Sequence, residues 1–127
     1  MSYEPKNSVT EELVRCRVWI ENALAYSGGT HNFDDITLGV LSHRYQFWPL
    51  ENSCAITEIL EYPRKKTFHV FLAGGRLNEI LVLNEPFAEF AKANGCTAMT
   101  IAGRPGWERV LDKLGWNYQF TTLKREI

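Results

Sequence analysis

Apolar positions along this chain recur first with a helical period and then with an extended one. After a polar stretch of nine residues containing Pro5, Leu13, Cys16, Ile20, Ala23 and Leu24 fall on one stripe, which Trp19 widens. That spacing predicts an amphipathic helix. Thr10 stands where a cap belongs, and Glu11 and Glu12 suit the positive end of the helix dipole. Ser27, Gly28 and Gly29 end it. A second, shorter helix is predicted from Asn32 or Phe33 to His43, with Asp34 and Asp35 in its first turn and Ile36, Val40 and Leu41 on its apolar face.

The period then changes. Residues 45–48 are short and aromatic and stop at Pro49. Residues 55–62 and 67–73 are rich in strand formers and are separated by the polar turn Pro63-Arg64-Lys65-Lys66, which predicts an antiparallel hairpin. In the second strand Phe68, Val70 and Leu72 fall on one face, and His69 and Phe71 on the other. Apolar residues on both faces predict a central strand covered on both sides. Gly74-Gly75 closes it and opens a helical region with Leu77, Ile80, Leu81 and Leu83. Asn84 stands as the cap of a fresh helix with Pro86 in its first turn, Phe87, Phe90 and Ala91 inward, and Gly95 at its C-terminal end. Residues 96–102 read as a strand. Gly103-Arg104-Pro105-Gly106 leads into a last helix carrying Trp107, Val110, Leu111 and Leu114, stopped by Gly115, and residues 116–123 alternate as a final strand.

The composition adds exclusions. With 127 residues, 45% hydrophobic and 23% charged, the chain reads as one globular domain over residues 1–127, residues 1–9 being a loose lead-in. Lys and Arg number 14 against 15 Asp and Glu, so there is no bulk signal for nucleic-acid binding. Cys16, Cys54 and Cys96 are odd in number and far apart, and His31, His43 and His69 lack metal-ligand spacing. No disulfide framework and no metal are expected, only buried free thiols. The N-terminal residues carry no apolar signal core, and no run approaches the ~20 residues of a membrane span. A soluble, intracellular protein without a membrane partner is the expectation.

Candidate chemistry is sparse. Glu58 sits in an apolar run and His69 between Phe68 and Val70, which makes each a candidate general base. The alternatives are an outward-facing strand residue for Glu58 and a hydrogen-bonded core histidine for His69. Cys96 reads as a small buried residue. Arg104 and Trp107 flank a loop of unusual backbone path and read as ligand contacts, or as a simple helix start with Trp107 in the core. Tyr45, Phe47 and Trp48 would line an acceptor groove or a protein interface, with core packing the simpler account for at least one of them.

The element order over residues 10–123 resembles that of the GNAT (N-acetyltransferase) fold, lacking an evident first strand and a separate last one. The segment GRPGWERVLDKLGW resembles the GNAT segment in which a helix ends in a Gly-aromatic pair. The runs CTAMTIAGRPGWERVLDKLGW, AITEILEYPRK and FLAGGRLNEI resemble small GNAT-like proteins of tailed phages and prophages. The resemblance implies an α+β fold: a mixed, mostly antiparallel central sheet flanked by helices, in the order ααβββαβαβ. It also implies acetyl-CoA wedged beside the central strand, its pyrophosphate on backbone N–H groups at the start of the next helix. Here that places Leu72, Ala73, Gly74, Gly75, Arg76 and Leu77 around the cofactor, with Arg104 at the mouth. The family loop reads Gln/Arg-x-x-Gly-x-Gly/Ala, whereas this chain offers Gly74-Gly75-Arg76-Leu77-Asn78-Glu79. Leu111 stands where many members carry a general-acid tyrosine, and Tyr118 is the candidate replacement. The implied function is a phage-type, acyl-CoA-binding, N-acetyltransferase-like protein with reduced or absent activity, located in the host cytoplasm or the virion. The alternative is a non-catalytic virion or assembly protein acting through a protein partner of phage or host. A third, weaker reading is an inhibitor of a host factor.

Overall fold

In the computed structural model, which describes residues 3–103 and 106–127, the first helix starts at Ser8. The Ser8 hydroxyl accepts from the Glu11 N–H, and the Glu11 carboxylate takes the Ser8 N–H. This capping box sets the start ahead of the expected Thr10. The single expected helix is two, α1 (Val9–Arg15) and α2 (Arg17–Leu24), parted at Cys16, where ψ is 0°. The lead-in is tied down: the Tyr3 hydroxyl and the Asn7 amide both donate to the Glu12 carboxylate. A second capping box, Asn32 with Asp35, starts α3 (Phe33–Leu41).

Four strands follow the predicted boundaries within a few residues: β1 (Tyr45–Pro49), β2 (Ser53–Glu61), β3 (Lys66–Gly75) and β4 (Ala98–Ile101), in the sheet order β1-β2-β3-β4. The first three pair antiparallel, and β3 pairs with β4 in parallel. As expected, β3 is central. Two helices, α4 (Leu77–Val82) and α5 (Asn84–Ala93), carry the chain from β3 to β4, and α6 (Gly106–Leu111) with a 3₁₀ turn (Asp112–Leu114) follows. Asn84 is the first residue of α5 rather than its cap; its side-chain oxygen accepts from the Trp116 indole N–H.

The sheet lies between two apolar layers. On one side Leu13, Cys16, Ile20, Leu24, Ile36 and Val40 of α1–α3 and their junctions pack on Tyr45, Cys54, Ile56 and Leu72. On the other, Leu83, Phe87, Ala91 and Cys96 pack on Ala55, Phe68 and Val70. Leu72 and Val70 thus lie on opposite faces, which corrects the expectation that Phe68, Val70 and Leu72 share one. The reason is a bulge: Ile56 pairs with Leu72 but Thr57 pairs with Val70, so Phe71 is an extra residue and the alternation shifts by one.

The final strand expected over residues 116–123 is not formed. Residues 116–127 are neither helix nor strand, and β4 has β3 as its partner among the described residues. Gly115, at φ 89°, turns the chain off the 3₁₀ segment. Trp116 is anchored through its N–H to the Leu111 carbonyl and its indole to Asn84, but Tyr118, Phe120 and Leu123 are exposed. The sequence has the strand's alternation without a ladder to join. All three cysteines are free and buried.

Candidate functional site

The pairing of β3 with β4 ends at Val70 and Ile101, while β3 runs on to Gly75 beside β2. Past that point the two strands part. On the α2 side the gap is an open, shallow cleft walled by Tyr26, Phe71, Leu72, Ala73, Gly103 and Trp107. On the α5 side lies a second small, apolar pocket, walled by Ile80, Leu81, Phe87, Leu111 and Trp116. Val70, Ile101 and Trp107 line both, so the two hollows flank the same gap between β3 and β4.

One polar row crosses the sheet just below the opening. Tyr45, Glu58, His69 and Thr100 are successive register partners on β1, β2, β3 and β4, on the face covered by α1–α3. The structure therefore brings Glu58 and His69 side by side. His69 Nδ1 lies 2.8 Å from the Thr100 hydroxyl, and burial lowers the pKa of its imidazole. Burial raises the pKa of Glu58, opposed by the positive charges of Arg44 and His31. His31, which no periodicity pointed to, closes the cluster. Its Nε2 lies 3.4 Å from the Tyr45 hydroxyl, and its ring packs edge-on against Phe71 with centroids 4.8 Å apart. Only its place just before the Asn32 cap could have marked it.

The glycine turn has reasons internal to the fold. A Cβ on Gly74 would lie 2.6 Å from the Trp19 carbonyl oxygen, and one on Gly75, at φ 104°, would overlap the Asn52 carbonyl oxygen. The Arg76 N–H donates to that same oxygen. Arg76 and Leu77 are exposed at the start of α4, Leu72 is in the core, and Ala73 lines the cleft. The first N–H groups of α4, on Leu77 and Asn78, have no acceptor within the helix. Glu79 is turned to the chain itself, its carboxylate accepting from the Asn52 N–H and side-chain amide and from the Ser53 hydroxyl.

Of the aromatic residues expected at an acceptor groove or interface, Tyr45 is buried and Phe47 and Trp48 are partly buried against the two cores. Tyr45 is 5% exposed, Phe47 packs against the α1–α3 core, and Trp48 meets Phe68, Phe87 and Phe90 ring to ring. The period-two alternation of β1 sends Tyr45 and Phe47 to one layer and Trp48 to the other. Trp107 does line the opening. Arg104 lies outside the described residues. Tyr118 sits on the tail, 62% exposed, with its hydroxyl bonded to that of Thr121. Among the described residues no group of three or more His, Cys, Asp or Glu is arranged to hold a metal, and no helix is long and apolar enough to cross a membrane.

No family model matches the chain, and no curated protein does. Solved structures do. Glucosamine-6-phosphate N-acetyltransferase from Arabidopsis thaliana superposes with a TM-score of 0.69 at 11% identity, over 99% of each chain. A possible acetyltransferase from Clostridium difficile 630 gives 0.68 at 9% identity, over 100% of this chain and 99% of that one. A transcriptional regulator from Bacillus halodurans C-125 gives 0.69 at 11% identity, over 97% of each. At such identities the likeness speaks for the fold alone: the chain is an α+β protein with the GNAT-like fold of acetyltransferases.

Proposed function

We propose that this chain is an acyl-CoA-dependent N-acyltransferase of low turnover, holding its cofactor in the opening between β3 and β4. The observation that carries this reading is the gap where β3 and β4 stop pairing, with an apolar pocket on one face and the His69–Glu58 row beside the cleft on the other. That geometry suits a long, thin arm whose reactive end emerges next to a proton acceptor. Acyl-CoA, when bound, supplies an activated acyl thioester. The GNAT-like fold is consistent with it.

His69 is the proton acceptor in this reading. Burial favours its neutral form, and in the tautomer whose Nδ1–H donates to the Thr100 hydroxyl the Nε2 lone pair takes the proton leaving an amine. Arg76 and the N–H groups of Leu77 and Asn78 are the groups available to a pyrophosphate, a smaller cradle than the family loop makes. Leu111 is 7% exposed in the α5-side pocket, where it packs and offers no proton. Both features support slow transfer.

Calorimetry with acetyl-CoA tests the reading. Ligand at 100 times its dissociation constant should stabilise the fold by ~2.7 kcal/mol in a parallel melt. No heat and no shift at millimolar acetyl-CoA would remove it. A second reading would then lead: a phage-type protein acting through contacts in the virion, during its assembly or on a host factor, in host cytoplasm or virion. The exposed Tyr118, Phe120 and Leu123 of the tail favour that one.

A further inference from the structure

The hollow on the α5 side of the gap lies between side chains that are otherwise well packed. Val70, Ile80, Phe87 and Leu111 are each 7% exposed or less, yet they leave a space between them. It has room for about one water-sized group, which is also the size of a methyl. Among the described residues, Leu81 and Ile101 continue the apolar lining. Asn84 also lines it but is turned to other partners: its side-chain oxygen accepts from the Trp116 indole N–H, and its side-chain N–H donates to the Glu85 carboxylate. A water in such a space lacks the polar partners it needs. Left empty, the space costs its lining atoms their dispersion contacts, and an apolar group that fills it restores them.

The position of the hollow says which group that is. Val70 and Ile101 are the last paired residues of β3 and β4, and both line it, so it opens at the root of the gap. The His69 side chain is on the opposite face of the sheet from Val70, bonded across to Thr100. An amine that hands its proton to His69 reaches the thioester carbon from that face, which leaves the α5 face to the hydrocarbon of the acyl group. Two walls there are fixed in place: the Trp116 backbone N–H holds the Leu111 carbonyl, and the Trp116 indole holds Asn84. Leu111 offers no proton, but its bulk limits the space.

We infer that the acyl donor of this site carries an unbranched aliphatic chain about one carbon longer than acetyl, its end methyl seated in the α5-side hollow, and that Leu111 sets that length. The inference rests on the acyltransferase reading and names the donor within it. One further buried methylene is worth about fourfold in affinity.

The test is calorimetry on the full chain with acetyl-CoA, propionyl-CoA and butyryl-CoA. Propionyl-CoA should bind at least about fourfold more tightly than acetyl-CoA, and butyryl-CoA no more tightly than propionyl-CoA. Leu111→Val, which withdraws one carbon from the wall, should move the optimum to butyryl-CoA, and a thermal melt checks that the variant is folded. Equal affinity for acetyl-CoA and propionyl-CoA, or affinity that goes on rising to butyryl-CoA, overturns the inference, and both are read on the parent chain whether or not the variant folds. A folded Leu111→Val that keeps the parent's order of affinities overturns the role given to Leu111. If none of the three thioesters binds, the acyltransferase reading falls and takes this inference with it. Binding of acetyl-CoA without a preference for propionyl-CoA sinks this inference alone.

Discussion

The Ser53 hydroxyl donates to Glu79 Oε1 over 2.7 Å, tying the start of β2 to the first turn of α4. The same carboxylate takes two bonds from Asn52. Burial pushes the Glu79 pKa up, but these donors and the Arg76 charge outweigh it and hold the group below the usual carboxylate range. Glu79→Ala would leave a fully buried serine hydroxyl and a backbone N–H unpaired, a loss of about 2–3 kcal/mol in chemical denaturation. Glu79→Gln keeps one acceptor oxygen and should cost less.

Gly75 and Gly29 form a matched pair. Both have positive φ, 104° and 75°, but a Cβ on Gly29 meets nothing within 4 Å, while one on Gly75 overlaps the Asn52 carbonyl oxygen. Gly29→Ala should cost about 1 kcal/mol, the backbone strain alone. Gly75→Ala should cost at least about 3 kcal/mol, strain and overlap together. Equal melting temperatures for the two variants would show that the loop at Asn52 yields freely.

Acid should unfold the chain partly through Glu12. The Arg15 guanidinium, 2.8 Å away, acts against burial and with Tyr3 and Asn7 to hold the carboxyl at about 2, from an ordinary 4.5. A folded pKa below the unfolded one gives stability that is present above pH ~4.5 and is lost as pH falls toward 2. At 1.36 kcal/mol per unit of pKa, that contribution is about 3 kcal/mol at neutral pH. Glu12→Gln should therefore be less stable at pH 7 and show a flatter urea midpoint between pH 5 and 3. A parallel curve for the two proteins would contradict the assignment.

Arg76→Ala tests the proposed cofactor contact cleanly, because Arg76 is exposed and its loss should leave stability within about 0.5 kcal/mol. A charge-assisted bond to phosphate is worth ~1.5–3 kcal/mol, so acetyl-CoA affinity should fall ~10–100-fold by calorimetry. An unchanged affinity would put the phosphates elsewhere.

Helices and strands were legible where one face is apolar and the other polar, as in α2, α3 and the β2–β3 hairpin. The bulge at Phe71 was not, because Phe68 through Ala73 is apolar at nearly every position and a shift by one changes no hydrophobicity. Residues 116–123 failed for the opposite reason: alternation says which way side chains point, not whether a neighbouring edge is within reach. At the site, Glu58 and His69 stood out as polar residues in apolar runs. That they are cross-strand partners depends on hairpin register, and that His31 joins them depends on where the α2–α3 connection lies over the sheet. The aromatic run of β1 did not by itself say how far each ring is covered, because bulk and exposure are independent: Tyr45 is buried, and Phe47 and Trp48 are partly so.

The gap between β3 and β4 is made by an unfinished zipper. Nothing has been hollowed out of a core; two strands simply cease to exchange hydrogen bonds after Val70 and Ile101. The cost of keeping the gap is a few backbone bonds left unmade, and evolution can adjust it by moving the stop by one or two residues in either direction. A change that lets residues 102 and 103 keep pairing would close the gap, strengthen the sheet and abolish the proposed acetyl-CoA binding, without touching His69, Glu58 or Arg76. Screens that reward thermal stability alone would favour such closed forms.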